Sequence, residues 1–193
     1  RYRADFADLW IINSHNGYGN IPAVNIEDYP DIKVHLDCYI ADLQKRKDKG
    51  ITPYNLRSCI YMEDFSKQKI VWGEISDKSK FALDEMGMYP EATTFLMTGN
   101  NLKFLLAILN SKLGEWSFNQ IGTRTGMGTN RWKKYTLESL VVKTPTSEEK
   151  TQIEILVTKI IHEPSKENIT ALDNAIYQLY QLTDEEISFI EAQ

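Results

Sequence analysis

The stretch Leu140-Val141-Val142-Lys143-Thr144-Pro145-Thr146-Ser147-Glu148-Glu149 divides the chain into two kinds of pattern. Leu140, Val141 and Val142 have the apolar, β-branched character of a short strand. After Pro145, Thr146-x-x-Glu149 has the spacing of a capping box, in which a hydroxyl and a carboxylate each take up a free backbone N–H at a helix start. Helical period follows at once in Ile153, Leu156, Val157, Ile160 and Ile161. Pro164 stops that helix, and Ile169, Leu172, Ala175, Ile176 and Leu179 mark a second. Thr183-x-x-Glu186 caps a short third with Ile187 and Ile190. Residues 144–193 therefore read as a helical C-terminal extension, and residues 1–143 as a body of different make-up.

Upstream of the divide the segments are shorter and mixed. Residues 93–97 predict a strand closed by Thr98-Gly99-Asn100, and Leu102, Leu105, Leu106, Leu109 and Leu113 predict a helix stopped at Gly114. Residues 57–63 and 69–75, rich in Ile, Val, Tyr and Trp, predict a pair of strands. Tyr29-Pro30-Asp31 opens a helix with Ile32, Leu36, Tyr39, Ile40 and Leu43 on one face, whose polar end stops at Gly50. Residues 6–13 predict a strand that runs into the turn-rich His15-Asn16-Gly17-Tyr18-Gly19-Asn20. The fold class is α+β: a mixed α/β body with short strands, then a helical tail. Cys38 and Cys59 lie in apolar-patterned segments and are expected to be reduced and buried. Asn168-Ile169-Thr170 is read as a chance sequon.

The chain has 193 residues, of which 42% are apolar and 25% charged, enough for one domain or for one domain with an appendage. The apolar run at 105–109, like every other here, falls far short of the roughly 18 to 20 residues of a membrane span, so no membrane partner is expected. Because the first residue is Arg1 rather than Met, the chain is expected to be a piece of a longer polypeptide. The net charge of −5 argues at first against a nucleic-acid partner, so the placement of charge matters more than its total. Residues 144–193 hold 3 Lys or Arg against 10 Asp or Glu, a net of −7, which leaves 19 against 17 in residues 1–143, a net of +2. Within that body, residues 121–143 carry Arg124, Arg131, Lys133, Lys134 and Lys143 against Glu138 alone, a net of +4. Gly122, Gly126 and Gly128 interrupt residues 121–130, which read as a basic loop.

Catalytic patterns are not found. None of the three histidines, His15, His35 and His162, stands in a nucleophile–base motif. Metal-ligand spacings of Cys, His or acidic residues are absent from the sequence. Gly17-Tyr18-Gly19 and Gly126-Met127-Gly128 lack the third glycine of a dinucleotide loop and the Gly-Lys-Ser/Thr of a phosphate loop. Pro30-Asp31 could open a metal-dependent nuclease pattern, but its partner Glu148-Glu149-Lys150 lies far along the chain on a helix start. No catalytic, cofactor-binding or metal residue is therefore expected here. What remains is the glycine-rich basic loop with Arg131-Trp132-Lys133-Lys134-Tyr135. Lys and Arg neutralise phosphates, and Arg can also fork onto a guanine edge. The competing reading is a solvated loop with Trp132 and Tyr135 in the core.

Six blocks in order resemble a known family. They are Tyr29-Pro30-Asp31-Ile32 with His35-Leu36; Gly50-x-x-Pro53-Tyr54-x-Leu56-Arg57; Lys69-Ile70-Val71-Trp72-x-Glu74-Ile75; Leu105-Leu106-x-x-Leu109-Asn110-Ser111-Lys112-Leu113; Gly126-x-Gly128-x-x-Arg131-Trp132-x-Lys134; and Leu137-Glu138-x-Leu140. With the closing Asp173-x-x-Ile176-Tyr177-x-Leu179-Tyr180-x-Leu182-Thr183-x-Glu185-Glu186-Ile187, the chain resembles the TaqI-like C-terminal specificity domain. That domain is the target-recognition module of type II, particularly type IIG, restriction–modification enzymes.

The resemblance implies sequence-specific recognition of double-stranded DNA in the cytoplasm. Catalysis would belong to an upstream adenine-N6 DNA methyltransferase domain of the same chain, with S-adenosylmethionine as its cofactor. The Asn/Asp/Ser-Pro-Pro-Tyr/Phe motif that receives the flipped adenine is missing from this sequence, so neither methyl transfer nor cofactor binding is expected of it. For the DNA contacts, Arg124, Thr129, Asn130 and Arg131 offer donors and acceptors, and Lys133 and Lys134 would hold phosphates. Asn55 and Arg57 form a second candidate surface. Trp72 and Trp132, beside strand-like residues, are expected in the core. The acidic helices would pack on the body or on the methyltransferase domain. Two alternatives stand: a protein-interaction or structural module without direct DNA readout, and a catalytic fragment with a nuclease or methyltransferase centre.

Overall fold

The computed structural model describes residues 1–126 and 128–193; Met127, in the Gly126-x-Gly128 fragment, lies outside them. Contacts along the chain define two compact units, Ala7–Ser66 and the combination of Arg1–Phe6 with Lys67–Gln193. The contacts thus divide the chain near Lys67, and residues 144–193 lie in the same unit as residues 67–143.

Unit Ala7–Ser66 is built from loops and two short helices, α1 (Pro30–Asp37) and α2 (Ile40–Lys45). The single helix expected from Tyr29 onward breaks at Cys38 and Tyr39, but its apolar stripe survives. Ile32, Leu36, Ile40 and Leu43 are all partly buried. The break also corrects the expectation for the cysteines. Both are free, Cys59 is half-buried, and Cys38 is exposed on the interruption, its thiol donating to the Val34 carbonyl at 3.5 Å.

Two predicted strands do not form in this unit. Residues 6–13 remain irregular, with Trp10 87% exposed, and residues 57–63 run into a single-turn 3₁₀ helix at Met62–Ser66. An apolar segment becomes a strand only where another strand offers it a ladder of hydrogen bonds, and neither segment has one. Ile26 and Met62 are the buried apolar residues of the unit, so polar contacts carry much of its order. Ser14 donates to the Tyr54 carbonyl at 2.7 Å, and the Asn16 side chain accepts from the Ile51 N–H at 2.7 Å.

The other unit has a four-stranded sheet of β1 (Tyr2–Arg3), β2 (Lys69–Gly73), β4 (Ala82–Asp84) and β5 (Thr94–Thr98), in the order β1-β4-β2-β5. A second sheet joins β3 (Ile75–Ser76), β6 (Thr123–Arg124) and β7 (Asn130–Arg131), in the order β3-β7-β6. Strand β2 is central, Ile70 facing Leu83 on one side and Met97 on the other. Two successive helices follow β5: α3 (Leu102–Asn110), seven of whose nine residues are buried, and α4 (Lys112–Ile121). The expected stop at Gly114 is corrected. Helix α3 ends at Ser111, whose hydroxyl accepts the Gly114 N–H at 3.0 Å and so caps α4. Gly114 lies inside α4, where a Cβ would run into the Ile108 carbonyl oxygen.

After the short α5 (Lys134–Leu137) come α6 (Ser147–His162), α7 (Lys166–Tyr180) and α8 (Asp184–Glu191). Both predicted capping boxes are present, at Thr146 with Glu149 and at Thr183 with Glu186. The Thr146 backbone N–H, donating to Glu149, holds that carboxyl below its usual range. Residues 140–142 are not a strand. Instead, the Tyr180 hydroxyl donates to the Val141 carbonyl at 2.9 Å and accepts the Lys143 N–H at 3.1 Å, tying the connector to α7. Ile153, Val157, Leu172 and Ile176 belong to the same core cluster as Leu106 and Phe118, so the helical tail packs on the body.

Two polar contacts fix this packing. Asp173 accepts the Lys112 N–H at the start of α4 at 2.9 Å, although burial pushes its carboxyl upward. Glu191 pairs with the Lys112 ammonium and accepts the Tyr177 hydroxyl at 2.8 Å. The Lys112 hydrogen bond holds Glu191 below the usual carboxylate range. A third polar contact lies within the sheet. Lys69 and Asp84 form an ion pair with side chains 0% and 2% exposed, and Asp84 also accepts the Met86 and Met88 N–H groups at 2.8 and 2.9 Å.

Removing one member of a buried pair strands the other charge. Lys69→Met is expected to lower unfolding stability by about 3–5 kcal/mol in urea titrations, a cost typical of such a loss. A loss under about 1 kcal/mol would mean that the pair is not needed. Because its folded-state pKa is depressed, Glu191 stabilises the fold above the ordinary carboxylate range, and this contribution fades as pH falls through the folded-state value. Lys112→Met should return Glu191 toward ordinary titration in a carboxyl NMR experiment; an unchanged titration would contradict the pairing.

Candidate nucleic-acid interface

The basic segment is more regular than its glycines imply. Helix α4 ends at Gly122, whose N–H donates to the Phe118 carbonyl at 2.6 Å, and the chain then pairs β6 with β7 as a hairpin. Across the turn, the Thr125 N–H donates to the Thr129 carbonyl at 2.7 Å and the Gly128 N–H to the Thr125 carbonyl at 2.9 Å. Gly128 has a φ of +82°, a left-handed conformation that glycine adopts without strain. The other edge of β7 pairs with β3, placing Ile75 opposite Arg131 and Ser76 opposite Asn130. The expected loop over residues 121–130 is therefore ordered at both ends by strand pairing.

Trp132 fastens this hairpin to the core. Its side chain is 1% exposed and stacks on Phe118 with ring centroids 3.9 Å apart, while Phe81 meets it edge-on at 5.5 Å. Its indole N–H donates to the Ser76 carbonyl at 3.1 Å, and its backbone N–H to the Glu74 carbonyl at 2.7 Å. The Trp132 carbonyl accepts the Trp72 indole N–H at 2.8 Å. Trp72 in turn lies against Phe81 and Phe95. Both tryptophans are core residues, as expected; Tyr135, by contrast, is exposed.

Strand alternation sorts the candidate DNA contacts. Asn130 and Trp132 face the core, and Asn130 is buried, its amide donating to the Asn119 side chain at 2.7 Å. That placement makes Asn130 a structural residue of the hairpin. Arg131 faces outward in the same row as Ile75 and Thr123. Arg124 is exposed, and Thr129 is half-buried in the turn, its N–H donating to the Thr125 hydroxyl at 3.2 Å. Lys134 is exposed at the start of α5 and lies 3.7 Å from Glu138, one helical turn on.

Sequence reading missed Glu74, which lies within 3.5 Å of Arg131 and 3.8 Å of Lys133. The carboxylate belongs to the turn between β2 and β3, far from the basic segment in sequence, and only the β3–β7 pairing brings it there. Arg124, Arg131, Lys133 and Lys134 against Glu74 and Glu138 leave a net of +2 on the surface of the hairpin and α5.

The second candidate pair is split by burial. Asn55 is 1% exposed; its amide donates to the Val24 carbonyl at 2.9 Å and the His15 carbonyl at 3.3 Å, and its oxygen accepts the Thr52 hydroxyl at 2.6 Å. These bonds knot three loop segments together and leave Asn55 nothing to offer a base. Arg57 is exposed, with Asp48 at 3.5 Å.

A cationic hairpin on a rigid aromatic core, with one exposed arginine and another shared with a carboxylate, defines a module suited to a polyanionic partner. The comparison with protein-family models agrees. Residues 24–142 match the TaqI-like C-terminal specificity domain, more than half of the chain, and the chain belongs to that family. At the level that the family shows, its function is sequence-specific DNA recognition in a restriction–modification enzyme. No curated protein matches the chain. Among the described residues no helix is long and apolar enough to cross a membrane.

Asn55→Ala would leave the Val24 and His15 carbonyls without that donor in a buried site. A loss of about 1–3 kcal/mol is expected, read as a lower urea midpoint and faster proteolysis within residues 7–66. Unchanged stability and proteolysis would mean that Asn55 is not the knot of this unit.

Proposed function

We propose that this chain is the target-recognition part of a type II, particularly type IIG, restriction–modification enzyme, reading duplex DNA for an adenine-N6 methyltransferase domain upstream in the same polypeptide. The observation that carries the reading is the hairpin of Arg124 and Arg131, with Lys133 and Lys134 beside it, displayed from the buried Trp132 within a family of specificity domains. Arg131 faces outward on the central strand of its sheet, where a guanidinium can fork onto a guanine edge. Arg124 and Thr129 border the turn, and Lys133 and Lys134 supply phosphate contacts that hold the protein in register. Glu74 tempers the attraction of this surface for phosphate in general, which favours sites where Arg131 gains base contacts as well.

S-adenosylmethionine supplies the methyl group in such enzymes, and the residues of this chain do not fit it. At Gly17-Tyr18-Gly19, Tyr18 and Ile21 exchange both backbone hydrogen bonds, and a Cβ on Gly17 would lie 3.0 Å from the Ala23 nitrogen. These glycines serve a tight turn. Cofactor binding, methyl transfer and any cleavage are assigned to the upstream part, acting on DNA in the cytoplasm.

The test is selection of bound sequences from a random duplex library by the 193-residue chain. A recovered consensus is the expected result, with log affinity falling linearly against log salt. Arg131→Ala should flatten the preference at one position of that consensus, a cost of about 1–3 kcal/mol. Lys133→Ala with Lys134→Ala should weaken all duplexes alike and reduce the salt slope by about 2. Glu74→Gln should raise affinity for scrambled duplex. No enrichment at any salt concentration, or hairpin variants that bind as the parent chain does, would overturn the proposal.

A further inference from the structure

Unit Ala7–Ser66 is acidic as a whole, with 6 Lys or Arg against 9 Asp or Glu, yet its charge is not evenly spread. Residues 44–57 hold Lys45, Arg46, Lys47, Lys49 and Arg57 against Asp48 alone, a net of +4, the same excess as residues 121–143. We propose that this segment is a second DNA-contacting surface that binds backbone phosphates without reading bases. The inference rests on the DNA-recognition reading above and adds a site in the other compact unit.

One of the five cations is structural, and it fixes the path of the rest. The Arg46 guanidinium donates to the Pro53 carbonyl at 2.8 Å and the Asn55 carbonyl at 3.1 Å. The Gly50 N–H donates to the Asn55 carbonyl at 3.0 Å, and Lys49 forms a single antiparallel bridge with Leu56. A side chain on Gly50 would strike Asn16, Asn55 and the Leu56 carbonyl, so the segment has little room to take another course. On this brace Lys45, Lys47, Lys49 and Arg57 stay at the surface, with the Lys45 and Arg57 side chains 77% and 70% exposed.

The local partners of these cations are replaceable. Lys45 lies 3.3 Å from Asp42 and Arg57 3.5 Å from Asp48, both exposed pairs of the kind that contributes little in water. Lys49 donates to the Gln44 carbonyl at 2.9 Å, and Lys47 has no partner among the described residues. A phosphate can therefore take these cations at small cost. Lysine ammoniums on flexible stems act as point charges, suited to phosphate and indifferent to base identity. Asn55 and Thr52 are not free to read a base, since Asn55 is buried and the Thr52 hydroxyl donates to it.

The test uses the 193-residue chain carrying K45Q/K47Q/K49Q, titrated by fluorescence anisotropy against the selected duplex and a scrambled duplex over a range of salt. Both affinities should fall by at least about tenfold near 0.1 M salt, and the salt slope should drop by about 2 to 3. The ratio between the two duplexes should stay unchanged. The variant K45R/K47R/K49R, which keeps the charge, should bind as the parent chain does, and equal urea midpoints exclude a folding effect. The proposal is overturned if K45Q/K47Q/K49Q keeps parental affinity and slope on both duplexes, or if it loses sequence preference while the slope stays constant. Failure of the parent chain to bind any duplex would instead remove the recognition reading itself.

Discussion

The stacking of Trp132 on Phe118 is the contact on which the candidate recognition surface depends. Trp132 is buried directly after the strand that carries Arg131, between the half-buried Arg131 and Lys133. Its ring reaches Phe118 on α4 and Phe81 beside the main sheet, and its indole, N–H and carbonyl bond to Ser76, Glu74 and Trp72. A single residue thus couples the hairpin to α4 and to strands of both sheets. Groups that must meet base edges have to be held to within a fraction of an ångström, and strands backed by a packed core do this better than free loops.

The charge of the surface follows the same logic. Four cations on and beside the hairpin would bind any duplex, and non-specific binding competes with recognition. Glu74 lies 3.5 Å from Arg131 and 3.8 Å from Lys133, and in the proposed reading it would lower that background. The acidic helices α6 to α8 pack on the body through Ile153, Val157, Leu172 and Ile176, and Asp173 and the Glu191–Lys112 pair fix their seats. The whole-chain charge of −5 therefore conceals two cationic segments, one in each compact unit.

Features written within one turn of chain were legible in the sequence. The capping boxes at Thr146 and Thr183 depend on residues three apart, and the periods of α3, α6 and α7 depend on residues three and four apart. Strands were harder, because residues 6–13, 57–63 and 140–142 have the composition of strands and lack the partner that would make them so. At Val141 a tyrosine from α7 takes the hydrogen bonds a strand would have used. Gly114 resembled a stop and proved to be a point of close approach. Arg124, Arg131, Lys133 and Lys134 were singled out by composition, and the structure places them on or beside one hairpin. Asn55 and Asn130 were misplaced because an amide that could read a base is the same amide that knots a loop. Glu74 was missed because its neighbours are neighbours only after the strands pair.

Hydrogen–deuterium exchange of the chain with and without a random-sequence duplex at low salt measures directly whether the Trp132-anchored hairpin faces DNA. Protection of residues 122–135 on binding, with α6 to α8 unchanged, is the predicted result. Binding accompanied by protection confined to α6, α7 and α8, with the hairpin unchanged, would contradict it.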